Sequence, residues 1–323
     1  MPGARATASG QTGGVDTFDP THGHDLDALL EVGFPPGPKD FVAFWRETYA
    51  AVRAIPLKVE RRPVKSTIPG ADVWIATWDS LGGVRVGGWI VVPKDGVFER
   101  GAVVGHGYGG REAPDGALPG PATAAIFPCA RGFHLSAQPG IPNQAGLHVV
   151  RGLESRESYI HRGCVADFWT GASVLEELYP AVQGRLDYLG GSFGGGIGAM
   201  LLPWDARFRR AYLDVPSFGN HPLRVTMKCT GSGEAIRQIY LTKPEIMEVL
   251  QYFDAATAAH YVNIPVFVAA AVSDPSVPPP GQFAVYNAIR SPKELFVRLT
   301  GHPDTPADNE ALRGELVTWF NEV

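Results

Sequence analysis

The chain has 323 residues, 28 Lys and Arg against 33 Asp and Glu for a net charge of −5, and 45% apolar residues. Interspersed charges of that balance argue against nucleic acid or an anionic membrane as partner, and no apolar run reaches bilayer-spanning length. Cys129, Cys164 and Cys229 are odd in number and far apart, and Met1–Thr7 lacks an apolar signal core. Reduced thiols are expected, and a cytoplasmic location unless a signal has already been removed, with no zinc spacing and no cofactor.

Residues 1–37 read as a polar arm, and 38–323 as a single α/β domain. His22 and His24 lie on that arm, where two histidines alone make no metal site. A helix is expected from Lys39 to Tyr49, with Phe41, Phe44, Trp45 and Tyr49 on one face, a stripe that suits a core contact. Val73–Trp78 and Val84–Val92 flank Leu81-Gly82-Gly83, the pattern of an antiparallel hairpin. After it strands and helices alternate, which predicts a doubly wound, mostly parallel sheet. Strands are expected at Ala102–Val104, Ala124–Phe127, Arg185–Leu189, Arg209–Leu213, Ile264–Val272 and Glu294–Leu299. Val165–Leu178 reads as a covering helix and Asp308–Val323 as a closing one, with Leu312, Leu316 and Phe320 inward. Between them, about 217–260 forms a helical excursion placed to wall a pocket. Its Thr242-Lys243-Pro244-Glu245 matches a capping box.

One constellation carries chemistry. Gly190-Gly191-Ser192-Phe193-Gly194 is a Gly-x-Ser-x-Gly between a strand and the small, apolar run Gly195–Leu202. Strand, tight turn and helix make a nucleophile elbow, with the serine hydroxyl raised above the sheet. Its partners must follow in the order acid, then histidine. Asp274 closes the apolar strand that starts at Ile264, and His302 follows the strand that ends at Leu299. Open α/β sheets place functional groups at such carboxyl ends. Ser192 would attack a carbonyl, His302 would shuttle the proton and Asp274 would hold the imidazole tautomer. For the oxyanion, the backbone N–H of Phe193 is one donor, and that of Tyr108 in His106-Gly107-Tyr108-Gly109-Gly110 is the second. Gly105, Gly107 and Gly110 also fit the dinucleotide pattern Gly-x-Gly-x-x-Gly. Arg111-Glu112-Ala113-Pro114 is a poor helix opening, however, and no acidic residue ends the next strand, so that match reads as accidental.

From about Pro38 onward the chain resembles carbohydrate esterase family seven, the acetyl xylan esterases and cephalosporin C deacetylases. The likeness rests on Asp40–Trp45 as an entry helix, His106–Gly110 as an oxyanion loop, and Arg131-Gly132 as the start of an Arg-Gly-Gln motif. Arg151-Gly152-Leu153, Tyr159–Gly163 and Asp167 resemble the stretch that follows. Gly190–Gly196, Asp214-Val215-Pro216, and Asp274 with Pro278-Pro279 resemble the elbow, the next strand end and the acid loop. The resemblance implies an α/β-hydrolase fold, metal-free hydrolysis of acetyl esters on carbohydrates or small molecules, and a homo-oligomer, often a hexamer. It also implies a substrate pocket walled by Arg131, Phe133, Pro216 and Phe218. Three positions depart from the pattern: Phe133 and Phe193 replace glutamines, and Pro303 replaces a glutamate. Two rings in place of amides lead to the expectation of an apolar pocket with graded acyl-length preference. Two alternatives share the triad order or scaffold, a peptidase or amidase of prolyl-oligopeptidase type and a non-catalytic binding protein.

Overall fold

Runs of Val, Ile and Ala buried on both faces suit the interior strands of a parallel sheet, and nine strands of the described residues join in one sheet. The computed structural model describes residues 18–115, 120, 122–302 and 306–321. Helices α1 (Leu26–Leu30) and α2 (Phe41–Arg53) precede strands β1 (Glu60–Val64), β2 (Ala71–Ser80), β3 (Val84–Pro93), β4 (Arg100–Val104) and β5 (Thr123–Pro128). Next come α3 (Ala145–His148), α4 (Ile160–Leu178), β6 (Leu186–Gly191), α5 (Phe193–Leu201) and β7 (Phe208–Asp214). The excursion holds α6 (His221–Arg224), α7 (Gly233–Tyr240), α8 (Met247–Leu250) and α9 (Ala255–Ala259). The chain then runs through β8 (Val266–Ala271), α10 (Pro279–Ala288), β9 (Lys293–Arg298) and α11 (Pro306–Asn321).

The sheet order is β1-β2-β3-β5-β4-β6-β7-β8-β9. The expected hairpin is β2 with β3, paired antiparallel from Ala71↔Pro93 to Ser80↔Val84. From β5 through β9 all pairing is parallel. The chain leaves β4 toward β5 and returns on the other side at β6. The loops after β4 and β6 therefore meet at a topological switch point, where such sheets open a crevice. Both faces are covered. Phe168, Trp169 and Leu175 of α4 and Ile197 and Met200 of α5 bury one face; Leu312, Trp319 and Phe320 of α11 cover the other with Ala102 and Phe267. The aromatic stripe of α2 is core, as its spacing predicts: Phe41, Phe44 and Trp45 are buried, and Trp45 Nε1–H donates to the Tyr252 carbonyl at 2.8 Å.

Helix α5 holds four glycines in nine residues, each costing a helix about 1 kcal/mol against alanine. Close approach explains them. A Cβ at Gly194 would stand 2.9 Å from the His106 carbonyl oxygen, and one at Gly196 only 2.2 Å from that of Ser217. Packing of the helix against both site loops outweighs its weak intrinsic propensity.

Two local expectations change. The expected capping box does not form: Pro244 opens a short 3-10 turn, Lys243 takes the cap position without a side-chain bond, and the Thr242 hydroxyl donates back to Ile239 O. The described end of the polar arm, residues 18–37, is tied to the domain. Asn287 Nδ2 donates to Leu29 O and Val32 O, Thr257 Oγ1 to Pro35 O, and the Asp274 N–H to Pro20 O. Leu29 is fully buried, so this segment earns its order by a core contact. Among the described residues no helix is long and apolar enough to cross a membrane.

Candidate active site

Ser192 sits between β6 and α5 at φ 53°, ψ −113°. For a residue with a side chain this conformation costs about 1–3 kcal/mol and needs outside support. The support is a set of backbone bonds. Ser192 N–H donates to Asp214 O at 2.8 Å, Ser217 N–H to Ser192 O at 3.0 Å, and Gly194 N–H to His106 O at 2.9 Å. The bend is thus clamped between the ends of β4 and β7.

Asp274 follows β8 and is fully buried. Its Oδ1 accepts from the N–H groups of Ser276 at 2.8 Å and Val277 at 3.1 Å. Its Oδ2 lies 2.8 Å from His302 Nδ1 and accepts from Gln282 Nε2 at 2.9 Å. A carboxylate oxygen opposite Nδ1 assigns the proton to that nitrogen and makes Nε2 the unprotonated one. Gly301 permits the approach, since a Cβ there would stand 2.0 Å from Asp274 Oδ2. Gln282 escaped sequence reasoning. It is buried in α10, accepts from Ala271 N–H at 2.8 Å and donates to Val277 O at 2.7 Å, so it fixes the acid's outer oxygen. The only signal was an amide one helical turn beyond the proline-rich acid loop.

Ser192 and His302 open onto one cavity of about 300 Å³, lined also by Gly107, Tyr108, Gly109, Ser217, Ser232, Ser276 and Val277. That is the small end of ligand pockets. The Phe193 N–H, first in its helix, has no intrahelical acceptor, and the Tyr108 N–H has none among the described residues. Gly105–Gly110 leads into no helix among the described residues before β5, which removes the dinucleotide reading.

The four expected pocket residues line none of this cavity. Arg131 turns away: its guanidinium forms a buried pair with Asp167 at 2.7 Å, and its N–H donates to the same carboxylate. Pro216 is buried at the strand end. Phe133 and Phe218 are 2% and 0% exposed and belong with Phe193 to a closed cluster behind the Tyr108 loop. An arginine in that position finds its carboxylate in the core, and apolar rings find each other; the wall falls to serines. Phe133 and Phe193 do meet, with ring centroids 6.3 Å apart, and His106 stands 5.4 and 5.6 Å from them. Pro303 lies outside the described residues.

Three histidines complete the cluster. His106 accepts from Ala130 N–H at its Nε2, so its Nδ1–H donates to Gly107 O at 2.7 Å. His148 Nε2–H donates to Arg131 O at 3.0 Å, leaving Nδ1 to accept from Tyr108 Oη at 3.0 Å. Tyr108 Oη in turn accepts from His161 Nε2–H at 3.1 Å. Burial pushes His106 and His148 down to about 4, and His161 well below its ordinary value, so all three stay neutral. They hold the loop of Tyr108, which lines the same cavity as Ser192.

The profile of the family described as Acetyl xylan esterase (AXE1) matches residues 31–320. The fold is that of the α/β hydrolases. It is similar to an acetyl xylan esterase from Paenibacillus sp. R4, with a TM-score of 0.80 and 22% identity over 91% of this chain and 99% of that one. It is also similar to acetyl xylan esterase 1 from Thermoanaerobacterium sp. JW/SL YS485, with a TM-score of 0.81 and 20% identity over 94% of this chain and 100% of that one. A curated relative, the acetyl esterase Axe7A of Xylanibacter ruminicola, is 22% identical over 151 residues. That match takes in 46% of this chain and 34% of the relative, so the chain spans about a third of that protein's length.

Proposed function

This chain belongs to the acetyl xylan esterase family, and on that premise we propose that it is a serine hydrolase removing acetyl groups from esters of carbohydrates or small molecules. The observation that carries the reading is Ser192 on its strained bend, sharing one cavity with His302, which pairs with the buried Asp274 at 2.8 Å. Ser192 Oγ attacks the acetyl carbonyl while His302 Nε2 takes its proton. The carbonyl π pair moves onto oxygen, which the N–H groups of Phe193 and Tyr108 receive; one such donor is worth about 2.7–4 kcal/mol of barrier. The C–O bond to the alcohol breaks as His302 returns the proton to the leaving oxygen. Water then repeats the sequence on the acetyl-serine, releasing acetate and restoring Ser192. Asp274, held by Gln282 and two backbone N–H groups, keeps His302 in the reactive tautomer.

Homo-oligomers up to a hexamer belong to this reading through the family resemblance and are checked by sedimentation. Three buried, unpaired thiols fit a reducing, cytoplasmic setting. The central test is acetate release from acetylated xylo-oligosaccharides and small acetyl esters, together with labelling by a serine-reactive fluorophosphonate. Release with label on Ser192 supports the proposal; neither release nor labelling overturns it.

A further inference from the structure

Among the described residues, the well-buried arginines pair with carboxylates, Arg224 excepted. Arg131 pairs with Asp167, Arg207 with Asp205 and Glu176, and Arg298 with Asp214. Arg224 is 5% exposed, yet its Nε and Nη1 are buried with no hydrogen-bond partner among the described residues. A guanidinium removed from water without an anion is disfavoured by several kcal/mol, so the arrangement is incomplete as it stands.

The position of Arg224 says what would complete it. Its guanidinium lies between the Phe218 ring, 5.3 Å from the centroid, and the first residue of α7: a Cβ on Gly233 would stand 2.6 Å from Nη2. The residues just before these two neighbours, Ser217 and Ser232, line the cavity of Ser192. Ser232 occupies the cap position of α7 but makes no side-chain capping bond. A helix N-terminus carries about half a positive charge and free N–H donors. The one carboxylate in its first turn, Glu234, is occupied by Arg237 at 2.8 and 2.9 Å, by Gln238 and by the Cys229 N–H. An uncapped helix start and an unpaired cation therefore converge behind one wall of the cavity, in a protein whose net charge is −5.

We infer that this wall is an anion subsite, in which Arg224 and the N-terminus of α7 receive a carboxylate carried by the alcohol part of the substrate. The inference rests on the esterase reading above and narrows it to acetyl esters of acidic compounds.

The test compares 4-acetoxybenzoate with its neutral counterpart 4-acetoxybenzamide as substrates of the full chain. The anion is expected to be favoured about tenfold or more in kcat/KM, as one charged hydrogen-bonded contact allows, chiefly through KM and less so at high salt. Arg224→Gln should bring the ratio near one and Arg224→Lys should keep part of it. A wild-type ratio near one overturns the inference, whether or not either variant folds. If that ratio comes with competitive inhibition by free acetate, the site holds released product instead, and the inference falls. If neither ester is turned over, the esterase reading fails. Calorimetric binding of benzoate against benzamide then decides the subsite alone: tighter benzoate supports it, equal affinity removes it.

Discussion

The loop of Tyr108 divides two regions that use the same residue types for opposite ends. On its open side, His302 is one-third exposed and paired to Asp274, among serines that line the cavity. On its closed side, His106, His148 and His161 are 0–3% exposed and packed among Phe133, Phe193 and Phe218. A histidine that must gain and lose a proton needs a charged partner and some solvent. One that holds a loop in place needs a fixed tautomer and none. Solvent access, more than residue identity, separates the proposed catalytic groups from their supports.

The sharpest way to break this comparison is at its open side. Ser192→Ala should abolish turnover while leaving the melting temperature within a few degrees of wild type, since Oγ faces the cavity and supports no core contact. Measurable esterase activity in that variant would move the nucleophile elsewhere. Asp274→Asn should lower kcat by about 10³–10⁴ through the wrong His302 tautomer, read by steady-state kinetics. A loss below tenfold would mean another carboxylate orients the base.

Titration of the closed side probes the same contrast through stability. His106 and His148 are lowered to about 4 and His221 to about 3, and His161 lies well below its ordinary value, each by burial. Between about pH 4 and 6.5 the unfolded chain binds protons there that the folded chain does not. Stability should therefore fall as pH falls through that window, by up to about 1.4 kcal/mol per pH unit for each histidine. Asp187, pushed up to about 6, and Asp254, raised by burial, act with the opposite sign and offset part of the slope. Urea midpoints at pH 7 and pH 5 measure the balance; equal midpoints would mean the cluster is not neutral and closed as described.

The smallest effect lies within the cluster. Phe133→Gln and Phe193→Gln should each destabilise the protein by about 1–3 kcal/mol by leaving buried amides unmet, and the double variant should recover part of that loss. The 6.3 Å ring separation, bridged by His106, makes coupling expected. A double-mutant cycle with additive effects, within about 0.5 kcal/mol, would show two independent gap-fillers.

Much of this architecture was legible locally. Gly-x-Ser-x-Gly between an apolar strand and a small-residue helix, Asp274 and His302 at successive strand ends, and the aromatic stripe of α2 all depend on short-range sterics and periodicity. A sequence expresses those directly. The polar arm, the capping box and the pocket wall did not follow from local pattern. Residues 18–37 are ordered by partners more than 180 positions away, including Asn220, Thr257 and Asn287. Gln282 became the acid's partner only because α10 folds over the end of β8.

What the sequence determined by itself, then, was the chain order of eight of the nine described strands and the placing of Ser192, Asp274 and His302 at strand ends, because backbone geometry at tight turns and strand ends is a local matter. Which side of the Tyr108 loop each aromatic, arginine and histidine occupies was decided only by the tertiary structure. Burial and charge pairing are sums over distant neighbours: Arg131 met Asp167 in the core, Phe133 met Phe193 behind the loop, and the wall of the Ser192 cavity was left to Ser217, Ser232 and Ser276.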